Sequence, residues 1–169
     1  EGRLALLDKA HEYAQRSIEL CPIASDAFDI RARASYAKAA IKQDLEQPKA
    51  TLDAAWAEAT RDIEQAVDTL VEKPAPLLVM LGRARLALGD AEGAEVPLLT
   101  AVRAQPDQES HWAAFYTYAT KTRRFDGIGI AVRDAIRNIP TSDTKSQAML
   151  NSWLALISEN GVKDLDAAE

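Results

Sequence analysis

Two stretches of this chain answer one another at a fixed offset of 34 residues. Leu78, Leu81, Gly82, Ala94, Leu98, Ala101 and Pro106 in the first correspond to Trp112, Phe115, Tyr116, Ile128, Val132, Ala135 and Pro140 in the second. A period of that length suits a supersecondary unit that buries its apolar face only by stacking on its neighbours. The residues inside each copy describe the unit. Within 76–88, Leu78, Leu81, the stem of Arg85 and Leu86 fall near helical spacing, and Gly82 lets a neighbouring helix approach closely. Gly89 and Asp90 then end one helix and begin another, since glycine suits the left-handed cap and aspartate the N-cap. From 91 to 104 a second stripe follows (Ala94, Leu98, Ala101, Val102), and Pro106 closes it.

This helix–turn–helix pattern has a bulky residue three before a Leu-Gly-like pair, small residues further on and a closing proline. It resembles the tetratricopeptide repeat (TPR). The resemblance implies an all-α fold, a right-handed superhelical array of antiparallel helix pairs (a TPR-like α-solenoid), and a role in binding a protein or peptide.

Read in order, the chain is expected to form one helical repeat domain over 1–169, a fragment of a longer protein. Irregular repeats occupy 1–74, regular ones 75–108 and 109–142, and a partial repeat 143–169. Helices are expected at 4–20, 25–45, 49–72, 76–88, 91–104, 109–122, 126–138 and 144–159. Measured back from Pro22, Ala10 and Ala14 fall where Ala94 and Leu98 fall relative to Pro106, so the chain opens in the second helix of a repeat. Ser25 or Asp26 is expected to cap the next helix, Gln47-Pro48 to break it, and residues 72–76 to link into the regular units. Ser35 to Ala59 spans 24 residues where Arg85 to Ala94 spans 9. Fifteen extra residues shared between two helices lengthen this hairpin by about 11 Å. Asp126 is the expected cap of the second unit's second helix, Asn160-Gly161 the end of the last helix, and 163–169 the start of another.

Composition narrows the function. Of the 169 residues 47% are hydrophobic, enough for a sizeable core. No apolar run of about 18 residues occurs, so no direct membrane insertion is expected. The net charge of -6 argues against nucleic-acid binding, which needs clustered cations. Cys21, the single cysteine, is expected to be a packed thiol beside Pro22. His11 and His111 lie 100 residues apart and are read as structural or solvated. No phosphate loop, dinucleotide fingerprint or metal motif appears, so no catalytic residue, cofactor or metal is expected. Trp56, Trp112 and Trp153 each fall in an apolar stripe and are read as core.

The remaining candidate is a surface. The TPR resemblance implies that first helices line a concave groove. Carried over residue by residue, its positions are Asp29, Arg33 and Tyr36, then Val79, Arg83 and Leu86, then Ala113, Thr117, Thr120 and Lys121. The family's clamp for a peptide carboxylate uses lysine and asparagine on the inner helix faces. Here those places hold Val79, Arg83, Ala113 and Thr117, which do not match it. Arg33, Arg83 and Lys121 with Tyr36 and Leu86 would instead make a mildly basic, partly apolar groove on an acidic protein. The implied function is a protein–protein interaction scaffold. The alternative is self-association through the projecting hairpin or an uncapped terminal repeat, giving a homo-oligomer.

Overall fold

The computed structural model describes residues 2–70 and 74–166, with side chains up to residue 161. Its elements are helices only: α1 Gly2–Leu20, α2 Ser25–Asp44, α3 Lys49–Thr69, α4 Ala75–Ala87, α5 Ala91–Ala104, α6 Glu109–Thr122, α7 Phe125–Asn138 and α8 Thr144–Asp166. No described helix is long and apolar enough to cross a membrane. Consecutive helices pack as antiparallel pairs, and the repeat brings α4 beside α6, α6 beside α8 and α5 beside α7. A single apolar core runs through the stack from Ile18 to Ile157. The expected all-α solenoid of helix pairs is what the chain forms.

The regular unit follows its sequence closely. Gly89 has a φ of 84°, the left-handed conformation that a side chain resists. Asp90 caps α5, its carboxylate accepting from the Gly93 amide at 2.9 Å. Gly82 faces Leu98, whose δ-carbons would lie 2.8 and 3.1 Å from any β-carbon placed there. α5 also carries a proline inside it, Pro97. Proline has no N–H for the carbonyl four residues back, that of Gly93. Arg85 fills the gap, donating from Nη1 to the Gly93 oxygen at 2.7 Å and from Nη2 to Glu64 at 2.6 Å. Its guanidinium thereby ties α3, α4 and α5 together.

The long hairpin is also present. α2 has 20 residues and α3 has 21, against 13 and 14 in the regular pair α4 and α5. Seven extra residues in each helix correspond to about 10 Å. The tip is exposed from Gln43 to Thr51 and turns at Glu46, whose φ is 52°.

Several boundaries differ from the sequence reading. α3 ends at Thr69, short of 72, and Pro76 sits in the first turn of α4 rather than in a linker. Residues 71–73 and 167–169, on which parts of the linker and of the terminal reading fall, lie outside the described residues. Neither Ser25 nor Asp26 caps α2, because the N-cap is Ala24 without a side-chain bond; Asp26 sits inside the first turn, where its charge suits the helix dipole. Asp126 is likewise within the first turn of α7, which starts at Phe125 after Arg123 adopts a left-handed φ of 57°. The last helix does not stop at Asn160-Gly161. It runs to Asp166, so residues 163–166 continue α8 instead of starting a new helix. Asn160 donates from Nδ2 both to the Leu156 carbonyl at 2.7 Å and to the Tyr116 hydroxyl at 2.9 Å, which holds it in helical register. Cys21 is exposed, not packed: it follows the end of α1 and projects from the turn.

Candidate functional site

The ten groove positions fall on three first helices, α2, α4 and α6, at spacings of three, four and seven residues that keep each set on one helix face. Their surroundings separate them. Val79 is only 7% exposed and belongs to the core, and Leu86 is half-buried against it. Tyr36 is half-buried too, with its ring edge-on to Trp56 at 5.3 Å between centroids. Arg33 is exposed, but its Nε meets the Asp29 carboxylate at 2.8 Å one turn away, which offsets part of its charge. Arg83 and Lys121 are exposed and form no ion pair among the described residues. Ala113 is half-buried. The hydroxyls of Thr117 and Thr120 donate to the carbonyls of Ala113 and Tyr116 at 2.8 and 2.9 Å, leaving their lone pairs outward. The face therefore offers two free cations, two hydroxyl acceptors and the partly exposed rings and chains of Tyr36 and Leu86.

None of the ten groove positions lines either of two cavities in the stack. One, of about 480 Å³, opens between α3, α4 and α5 and is walled by Val67, Leu78, Leu81, Val96 and Pro97 with Glu64, Asp68 and Arg85 at its polar side. A second, also about 480 Å³, lies where α6 and α8 begin, lined by Asp107, Glu109, Asp143 and Lys145. At that end Asp143 accepts from the Ser146 amide at 3.1 Å, and hydrogen bonding from Ser146 holds its carboxyl below the usual range.

The two histidines part company in the fold. His111 is buried on α6, its Nδ1 without a hydrogen-bond partner, and desolvation lowers its pKa from the ordinary 6.5. His11, read from the chain as structural or solvated, has carboxylate partners in space. Its Nε2 lies 3.2 Å from Asp62 Oδ2 and 3.4 Å from Glu58 Oε1. Around Asp62 a polar network fills the junction of α1, α2 and α3. Arg31 Nε approaches Asp62 Oδ1 at 3.1 Å, Ser35 donates to Asp62 Oδ2, and the two ends of the Arg31 guanidinium donate to Gln15 and Gln65. The i,i+4 spacing of Glu58 and Asp62 was visible in the sequence, but only the fold reveals that α1 lays a histidine over them.

No family model matches the sequence, and no curated protein matches it. Among solved structures the fold is similar to that of YrrB, a TPR protein with an unusual peptide-binding site. The TM-score is 0.59 at 17% identity, and the similarity covers 96% of this chain and 76% of that one. At that identity the likeness is one of fold, and it is the fold the 34-residue period implies: the chain is a TPR-type helical array.

Proposed function

We propose that the chain is a protein–protein interaction scaffold that holds an extended peptide or partner helix against the face made by α2, α4 and α6. The observation that carries this reading is the pair of exposed, unpaired cations Arg83 and Lys121 on adjacent first helices, beside the hydroxyls of Thr117 and Thr120. An acidic or mixed peptide laid across the helices would meet those cations, and its apolar side chains would meet Tyr36 and Leu86. Each charge contact at such a surface contributes roughly 0–1 kcal/mol, so affinity would arise from their sum. YrrB, of similar fold, has a peptide-binding site, which makes the same class of partner a reasonable one here. The test is the double reversal Arg83→Glu with Lys121→Glu. It should weaken a selected acidic peptide and leave helicity intact, and raising salt should weaken the wild-type complex in the same direction.

A second reading, self-association, has an observation of its own. Leu6, Tyr13 and Leu20 are exposed, and their seven-residue spacing puts them along one line of α1. Light scattering across concentration separates the two readings. Dimers that dissociate in Tyr13→Glu, or on shortening residues 40–54, would favour self-association, and a peptide that ignores the charge reversal but is lost with the hairpin would displace the groove.

A further inference from the structure

From the cluster at the junction of α1, α2 and α3 we infer that His11, Glu58 and Asp62 form a site for a divalent transition metal of the zinc class. The site is separate from the proposed peptide face and does not depend on it.

Three donor atoms converge from two helices: His11 Nε2 from α1, and Glu58 Oε1 and Asp62 Oδ2 from one face of α3. All lie within 4.8 Å of one another. Zinc holds nitrogen and carboxylate oxygen at about 2.0–2.2 Å in a tetrahedron, so the edges between its ligands are roughly 3.3–3.6 Å. The distances of 3.2 and 3.4 Å from the histidine nitrogen to the two oxygens are close to such edges.

Hydrogen bonding alone leaves this arrangement incompletely satisfied. Imidazole carries at most one hydrogen on Nε2, whether neutral or protonated, and here two carboxylates face that single atom. In the other neutral tautomer three sets of lone pairs face one another. Glu58 and Asp62 are also like charges one helical turn apart, a spacing that costs stability without a cation between them. A divalent ion satisfies the histidine nitrogen and offsets the repulsion between the two carboxylates together.

The surroundings suit such an ion. Asp62, with a side chain 10% exposed, accepts a hydrogen bond from Ser35 and faces the Arg31 guanidinium as an ion pair, and hydrogen-bonded support such as that from Ser35 is usual for metal-ligating carboxylates. Arg31 meets Asp62 mainly through Oδ1, the oxygen turned away from His11. With His11 neutral, as a metal ligand must be, two carboxylates against one guanidinium leave the pocket with a net negative charge. Glu58 and His11, at 42% and 24% exposure, keep one side open to solvent, so an ion can reach the site and retain a water as fourth ligand. A nitrogen donor favours zinc, cobalt or nickel over calcium or magnesium. The bound ion would clamp α1 to α3 across α2.

Calorimetric titration of the intact chain with Zn²⁺ alone, and Co²⁺ as a spectroscopic probe, tests this. We expect a single site per chain, Co²⁺ absorption bands of a low-coordinate nitrogen and oxygen environment, a raised melting temperature with Zn²⁺, and no response to Mg²⁺. His11→Ala should weaken binding by roughly tenfold or more, at least what loss of an outer partner costs. Glu58→Gln, a change at a partly exposed side chain that preserves shape, should do the same while circular dichroism shows an unchanged fold. His111→Gln should not alter binding. Absence of Zn²⁺ binding, or binding that survives in both His11→Ala and Glu58→Gln, would overturn the inference and leave the cluster as a hydrogen-bonded bridge.

Discussion

Replacing Gly82 by leucine tests the register on which the whole array rests. Gly82 sits mid-helix in α4 with Leu98 of α5 against its open side, and even a β-carbon would come within 2.8 and 3.1 Å of the two Leu98 δ-carbons. Leu98 is fully buried, so it cannot swing out into solvent without leaving the core. Overpacking of this kind costs typically about 1–3 kcal/mol. Leucine is a better helix former than glycine by somewhat under 1 kcal/mol, which offsets part of that. The net expectation is a loss of about 1–2 kcal/mol, equivalent to a fall in Tm of roughly 2–8 °C for a domain of this size. Leu98→Ala alone should cost about 2–5 kcal/mol through the cavity it leaves. The two together should cost clearly less than their sum, because the new leucine occupies the vacated space. Thermal and urea melts followed by circular dichroism measure all three variants. An unchanged Tm for Gly82→Leu, or strict additivity in the pair, would refute the close α4–α5 contact.

Other perturbations bear on separate parts of the account. Arg85→Met should destabilise the chain by about 1 kcal/mol or more in chemical denaturation, since it strips the Gly93 carbonyl of the donor that stands in for the missing Pro97 amide; Lys at the same place should restore only part, lacking the fork that also reaches Glu64. Asp90→Ala should cost about 1 kcal/mol by removing the cap of α5, with Asp90→Asn close to wild type in the same melts. His111 titrates below its ordinary 6.5 because burial disfavours its charged form. The unfolded chain therefore takes up the proton first, and stability should fall as the pH drops through about 6.5 and below. His111→Gln should flatten that part of the stability–pH profile, and an unchanged slope would remove His111 as its cause.

Much of the fold was legible because local chemistry and the repeat agree. Gly89 and Asp90 mark a turn that any residue pattern would have to respect, and the 34-residue spacing pairs buried Leu98 with buried Val132 and buried Leu78 with buried Trp112. The failures occur where tertiary contacts outrank local signals. Gly161 looks like a helix end, yet it keeps a right-handed backbone, because Tyr116 anchors Asn160 and the helix passes close to Phe125, 3.6 Å from where a glycine β-carbon would be. Ser25 and Asp26 are good caps in isolation, but the chain enters α2 one residue earlier. On the surface, the repeat places Val79 on an inner face without revealing that a neighbouring helix covers it. The histidine–carboxylate cluster depends on contacts 47 and 51 residues apart between α1 and α3, and no local spacing encodes those.

The central claim is that partners are held on the α2, α4 and α6 face. It is tested most directly by mapping amide chemical-shift changes on the isotope-labelled chain as a peptide selected from an acidic extended library is added. The account predicts that shifts cluster around Arg33, Arg83, Thr117, Thr120 and Lys121 and disappear in the Arg83→Glu, Lys121→Glu variant. Shifts concentrated instead at Val67, Val96 and Thr100 in the cleft between α3 and α5, or at the hairpin tip from 43 to 51, would contradict it.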